Sequence, residues 1–283
     1  MMKKLLTSLL IASFLLTSTP VYAKRWTSKP PVGSQIDWSH PLSRGLVACF
    51  LMNEGGGSKI YDIARRNNGT LINGATWKAG KRGVALNFDG TDDYVDVGSA
   101  IGKPTSWTIT GWIKPTSIAN NGIIFSVDTG GSNNNAWGVY GNSGNILSLY
   151  VSSGSDTQIF QIAGEYTAVN YPSTSWTFIS GTINGTTISY YRNGNLIAST
   201  PQTISMGGTP YKISIGKYGE YTGSGYNFPG SIDDVRIYNR ALSPTEIRKL
   251  YEDPYCFIKQ SNFGNFKSGL MITADDSQVI MIM

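Results

Sequence analysis

Charge is scarce in this chain. Only 14% of its 283 residues are Asp, Glu, Lys or Arg, which excludes the highly charged, aromatic-poor composition of a disordered segment. The basic residues are scattered rather than striped, so a formal net charge of +5 is no nucleic-acid footprint. Histidine is nearly missing. His40 stands alone, which makes a serine triad or a two-histidine zinc site hard to build and leaves His40, ahead of Pro41, as a loop hydrogen-bonder. Cysteine is almost absent too, with only Cys49 and Cys256, and a chain of this length can bury a full core without staples. No apolar run reaches the length of a membrane-spanning helix.

The longest such run, Leu5 to Leu16, follows Lys3 and Lys4 and precedes the small residues Val21 and Ala23. That order reads as a secretory signal over residues 1–23, with a retained anchor as the alternative. The protein is therefore expected outside the cell, extracellular or in a periplasm or on a cell surface, with no membrane span after cleavage. Without Lys3 and Lys4, 21 basic residues face 18 acidic ones, a net charge of +3. Residues 24–43 read as a leader, extended around Pro30-Pro31, with Lys24, Arg25 and Lys29 in a loose segment. Export permits a disulfide. A Cys49–Cys256 bridge is one reading, and two buried thiols acting as small hydrophobes is the other.

What is abundant is glycine, at 33 residues, and aromatic side chains, at 12%; together they suit short strands joined by tight turns. Leu46 to Met52 is apolar on both parities, as in a strand buried on both faces. Short alternating runs follow as far as Arg240, among them Ala85–Phe88, Tyr94–Val97, Trp107–Ile113 and Ile146–Val151, each bounded by Gly, Asn, Asp or Ser. Asn184-Gly185 and Asn193-Gly194 predict two successive two-residue hairpins and so three antiparallel strands. One helix is predicted, from Pro244 to about Glu252. Ser243 is its N-cap, Glu246 closes a capping box, and Leu242 and Ile247 occupy the staple positions. Asp253-Pro254 ends it. In the tail, 253–283, Leu270–Thr273 and Val279–Met283 suggest a further hairpin or edge strand. Many short strands with one late helix predict an all-β, two-sheet sandwich.

Specific residues then resemble a family. Gly45-Leu46-Val47-Ala48-Cys49-Phe50-Leu51-Met52-Asn53-Glu54-Gly55 looks like the opening strand of laminin G-like domains in the concanavalin A-like lectin/glucanase superfamily. So do Tyr61-Asp62 with Asn67-Asn68-Gly69-Thr70-Leu71, then Gly83 to Gly90 with Asp93-Tyr94-Val95, and the strand Ile213-Ser214-Ile215-Gly216. The fullest match is Gly230-Ser231-Ile232-Asp233-Asp234-Val235-Arg236-Ile237-Tyr238-Asn239-Arg240-Ala241-Leu242-Ser243. The resemblance covers about Gly45 to Tyr251, inside a domain drawn at 44–252. It implies an antiparallel jelly-roll sandwich of about a dozen strands with one short C-terminal helix. It also implies one structural calcium, whose ligands would be sought at Asp233, with Asp89, Asp62 and Asn68 as further oxygens. Ser34 to Pro41 is similar to leaders of bacterial and phage-encoded members, which points toward surface display or a virion.

Alternation places Asp233 with Val235 and Ile237 on the core side, where a carboxylate needs a metal or hydrogen-bond partners; capping turn amides or pairing with an arginine would serve as well as calcium. Asp92, Asp93 and Asp96 fit no EF-hand spacing and read as a solvated turn. No catalytic residue is assigned. The glutamates Glu54, Glu165, Glu220, Glu246 and Glu252 do not start the Glu-x-Asp-x-x-Glu strand that retaining glycosidases of this superfamily use. Sugar recognition needs exposed aromatic faces. Two loops supply them: Trp137 and Tyr140 from the stretch Gly130–Tyr140, and Tyr218, Tyr221 and Tyr226 from Lys217–Phe228. The bland reading is that about half of these rings pack inside the sandwich. The expected partner is a glycan or cell-surface polysaccharide, bound by a non-catalytic carbohydrate-binding or adhesion module. A protein-binding or virion-associated sandwich is the alternative, and a diverged glycosidase comes third.

Overall fold

Antiparallel pairing organises the chain from Leu46 onward. The computed structural model describes residues 26–64, 67–101, 105–116, 123–128, 136–141, 147–153, 156–161, 175–201, 211–217 and 227–260. Sixteen strands run through them: β1 (Leu46–Phe50), β2 (Lys59–Ile60), β3 (Gly69–Ile72), β4 (Thr76–Ala79), β5 (Val84–Asp89), β6 (Tyr94–Ile101), β7 (Ser106–Pro115), β8 (Ile123–Asp128), β9 (Ala136–Gly141), β10 (Leu147–Ser153), β11 (Asp156–Gln161), β12 (Thr177–Asn184), β13 (Thr187–Arg192), β14 (Asn195–Pro201), β15 (Tyr211–Ile215) and β16 (Pro229–Tyr238). They form two eight-stranded sheets. One has the order β14-β13-β12-β7-β16-β5-β4, with β1 also paired to β16; the other runs β11-β10-β9-β8-β15-β6-β3-β2. The all-β sandwich is as expected, with one α-helix, α1 (Pro244–Glu252), among the described residues.

The meander forms with one adjustment. Asn193 and Gly194 are the two residues between Arg192 and Asn195, both with left-handed backbone, as an Asn-Gly turn requires. The earlier turn is shifted by one residue. Asn184 pairs with Thr187, so Gly185 and Thr186 make the loop. Gly185 alone carries the positive φ, which is enough for a turn that needs it only at its first central position.

Strands β1, β7, β12 and β16 of the first sheet are buried on both faces. The inner face of the first sheet and the second sheet enclose one apolar cluster, containing Phe50, Leu86, Phe88, Trp107, Ile109, Ile179, Ile213, Ile232, Val235 and Ile237. The outer face of the first sheet carries another, containing Leu46, Cys49, Leu51, Trp112, Phe178 and Tyr238. Helix α1 covers this face with Ile247 and Leu250, both fully buried, each contributing about 1.5–3 kcal/mol of burial. The segments flanking the sandwich complete the cover. Ile36 bridges Ile258, the Asp37 amide donates to the Phe257 carbonyl at 2.8 Å, and the Lys259 amide donates to the Gln35 carbonyl at 2.8 Å. His40 accepts the Leu42 amide at Nδ1 and opens a 3-10 turn over Pro41–Ser43.

The capping box of α1 is formed: the Ser243 hydroxyl accepts the Glu246 amide and the Glu246 carboxylate accepts the Ser243 amide. Arg240 clamps the same carboxylate through both terminal nitrogens, at 2.9 and 2.7 Å. Ser243→Ala is expected to lower stability by about 1 kcal/mol, read as a lower urea midpoint with an unchanged slope.

On β16 the strict alternation breaks. Pairing with β7 shifts register between Asp233 and Arg236, and Asp234 has φ of 52°. A bulge places two successive residues against one partner. Ile232 and Val235 both reach the inner cluster, so Asp233 does not join Val235 and Ile237 there. It lies instead near Asp234 on the outer side.

Candidate functional site

The turn from β5 to β6 gathers three carboxylates. Phe88 anchors its start in the core. The Asp89 amide donates to Asp93 Oδ2 at 3.0 Å, and the Thr91 amide donates back to Asp89 Oδ1 at 2.7 Å. Oxygens of Asp89, Asp92 and Asp93 thereby lie within 4.8 Å of one another. Asp89 and Asp92 are exposed, but Asp93 is only 4% exposed, so the solvated-turn reading fails for it. Burial pushes the Asp93 carboxyl up, the Asp89 amide opposes this, and the charges of Asp89 and Asp92 add to it.

The same turn holds the base of the loop between β15 and β16. Asn227 bridges Lys217, the Phe228 amide donates to the Gly216 carbonyl at 2.8 Å, and the Lys217 ammonium lies 4.5 Å from the centre of the Tyr94 ring. Asn227 is 5% exposed. Its Nδ2 donates to the Thr91 carbonyl inside the acidic turn, while its Oδ1 is buried and accepts no hydrogen bond. Asn73, from the turn after β3, donates to the Asp92 carbonyl at 3.3 Å. One end of the sandwich thus brings together the acidic turn, the 73–74 turn and both roots of the 218–226 loop.

Tyr218, Tyr221 and Tyr226 fall within 218–226, outside the described residues. Phe228, in the same aromatic stretch, is a core residue. Trp137 and Tyr140, expected on a loop, stand instead on strand β9, opposite Val151 and Ser148 of β10 respectively, and their opposite parity puts the two positions on different faces of the sheet.

The four expected calcium ligands do not converge. Asp62 is buried, with Oδ1 accepting the Cys49 and Ala64 amides at 2.8 Å each and Oδ2 accepting the Asn67 amide at 3.1 Å. Asn68 spends its carbonyl oxygen on the Asp62 amide at 3.1 Å. These two residues brace the loop after β1 and do not fit a metal site. Asp233 is fully buried and holds a cation already: its Oδ1 pairs with the Lys29 ammonium and its Oδ2 accepts the Lys81 amide at 3.0 Å. Burial pushes the Asp233 carboxyl up and Asp234 reinforces that, while Lys29 and the Lys81 amide pull it back. Lys29 is therefore no loose leader residue; its side chain is 5% exposed. Only Asp89 keeps a setting compatible with calcium, beside Asp92 and Asp93. Val84 and Asp89 are the two ends of β5, so the acidic turn lies roughly 17 Å from the Lys29 pair by strand rise.

Cys49 and Cys256 are free thiols, with burial pushing them up to about 12 and about 11. Three features escaped sequence reading: the Lys29 ion pair, the buried Asn227, and a buried cluster of Asp234, Arg236 and Tyr255. For Asn227 the signal was weak, an amide residue just before a core aromatic. Of the glutamates, Glu246 serves the helix cap and Glu252 pairs with Arg248, while Glu165 and Glu220 lie outside the described residues.

A family model described as the concanavalin A-like lectin/glucanases superfamily matches residues 89–248. Among curated proteins no sequence matches. The fold is similar to domain 4 of AbnA, an extracellular arabinanase from Geobacillus stearothermophilus, in complex with arabinotriose; identity is 17%, coverage 73% of this chain and 98% of that one, and the TM-score 0.57. It is similar also to the binding domain of Paraclostridial Mosquitocidal Protein 1, at 18% identity and TM-score 0.60, covering 76% of this chain and 53% of that one. A binding domain of Botulinum Neurotoxin DC, in complex with SialylT, gives 15% identity and TM-score 0.55, with 75% and 52% covered. This chain spans about half the length of the two toxin binding domains.

Proposed function

The chain belongs to the concanavalin A-like lectin/glucanase superfamily, and from that premise we propose that it is a secreted, non-catalytic module binding a glycan at the acidic-turn end of its sandwich. The observation that carries this reading is the meeting of Asp89, Asp92 and Asp93 with the roots of the 218–226 loop through Asn227. Carboxylates accept hydrogen bonds from sugar hydroxyls, and aromatic rings stack on sugar faces. Tyr218, Tyr221 and Tyr226 lie in sequence between Lys217 and Asn227, the loop roots that meet near that turn. A calcium, in this reading, is held by Asp89, Asp92 and Asp93, a hard-oxygen set, and steadies the turn. Arabinotriose and SialylT, bound by two proteins of similar fold, support a carbohydrate as the class of partner. Display on a cell or virion surface is consistent with the proposed export signal.

A glycan array run in calcium and in chelator tests this. Binding is expected to at least one glycan, and the variant Tyr221→Ala/Tyr226→Ala is expected to lose about tenfold or more in affinity, about 1.4 kcal/mol, without a change in melting temperature. Unchanged affinity sinks the site. Silence across the array, with a protein captured from the same surface, favours the protein-binding alternative.

A further inference from the structure

We propose that Lys29 is a built-in cation: its ammonium fills an oxygen cage on the outer side of β16, locking the leader there and making that cage independent of any metal ion. The ammonium has three protons to donate, and three oxygens take them: the Met52 carbonyl at 3.0 Å, the Val84 carbonyl, and Asp233 Oδ1. A fourth oxygen source is close by. Glu54 accepts the Tyr61 amide at Oε1, while its Oε2 is buried without a hydrogen-bond partner. Burial pushes the Glu54 carboxyl up and the charge of Lys29 acts against it. Two backbone carbonyls and two carboxylates are the oxygen types that calcium takes, with water completing the shell. Here a tethered ammonium holds that position.

The cage is built for a close approach. A Cβ at Gly80 would stand 2.6 Å from the Val84 carbonyl oxygen and 2.7 Å from Asp233 Oδ2, so only glycine leaves the carboxylate room to turn toward Lys29. The leader is held again one residue on, where Asn53 Nδ2 donates to the Pro30 carbonyl at 2.5 Å. Asp233 is 0% exposed, and a buried carboxylate without a counter-charge is strongly unfavourable. When Lys29 is gone, the buried carboxylate takes up a proton or takes a new cation, and the carbonyls left facing it favour a calcium ion.

The test uses the exported chain with Asp89→Asn and Asp92→Asn, which leaves the acidic turn a single carboxylate, too few charged oxygens to hold calcium tightly. In that background, melting temperature is expected to be the same in calcium and in chelator. Adding Lys29→Ala is expected to lower it by roughly 5–10 °C in chelator, with millimolar calcium restoring at least half of the loss. Adding Asp233→Asn as well abolishes the restoration. Lys29→Gln serves as a second variant should Lys29→Ala not fold, with the same calcium response expected. A background protein that itself loses stability in chelator overturns the proposal, because a metal would then hold the cage. A Lys29 variant that melts like its parent, or whose loss calcium does not repair, overturns it too.

Discussion

Asp234→Asn is expected to destabilise the protein by about 3–5 kcal/mol, measured as a drop in the urea midpoint. Asp234 and Arg236 are both fully buried on the outer side of β16. The guanidinium donates through Nη1 to the Asp234 carbonyl and through Nη2 to the Pro254 carbonyl, each at 3.0 Å, and its Nη2 lies 3.8 Å from Asp234 Oδ1. Tyr255 and Phe257 flank it, with ring centres 5.7 and 5.6 Å away. Burial works against the Arg236 charge, but Asp234 and the groups around it outweigh that and hold the guanidinium firmly charged. The Tyr255 hydroxyl donates to Asp234 Oδ2 at 2.6 Å, and burial, with the Asp234 charge beside it, raises that phenol. Asn tolerates the left-handed backbone that Asp234 adopts and still offers an acceptor to Tyr255. The substitution therefore keeps the backbone and the Tyr255 acceptor while removing the charge, which leaves a buried guanidinium uncompensated. A loss below about 1 kcal/mol, the scale of an exposed pair, would mean that water reaches Arg236.

Removing the Asp62 carboxylate, by Asp62→Ala, should cost about 3 kcal/mol or more. Three backbone amides, of Cys49, Ala64 and Asn67, lose their acceptor at once. The Cys49 amide is buried inside β1, and each stranded buried donor costs about 1–3 kcal/mol. The Ile63 amide donates to the Cys49 carbonyl at 3.0 Å, and Phe50 bridges Asp62, so the loop and the end of β1 should loosen together. Amide hydrogen exchange at Cys49 and Ile63 is expected to accelerate. The measurement also separates two roles for this residue. As an amide acceptor, Asp62 gives the same loss in calcium and in chelator; as a metal ligand, its loss would appear in calcium and vanish in chelator.

Local chemistry made the framework legible. The two-sided apolar run Leu46–Met52 became β1 and the two residues after it, contributing to both clusters, because a strand covered on both faces must be apolar on each. Ser243-Pro244 with Glu246 became the helix start, since a cap involves residues only three apart. Asn193-Gly194 became a turn because that pair accepts left-handed dihedrals at low cost. The Asp233 expectation failed on its side of the sheet, because a bulge adds one residue to the count and a period of two cannot foresee it. Asp93 was visible as one of several turn carboxylates, but its burial depends on the turn's own hydrogen bonds and on what packs over them.

By itself, the sequence determined many of the strands, the Asn193-Gly194 turn, the helix cap and the β-sandwich outcome, because those features follow from residues within one turn or one strand of each other; it did not distinguish β9 from a loop. Which charges meet was decided by tertiary structure alone. Lys29 reaches Asp233 across 204 positions of sequence, and Asn227 reaches Thr91 across 136. No local pattern encodes such partners; they become neighbours only when packing brings the segment ahead of β1 and the loop roots against the sheet, and a buried charge there must find whatever opposite group the fold delivers.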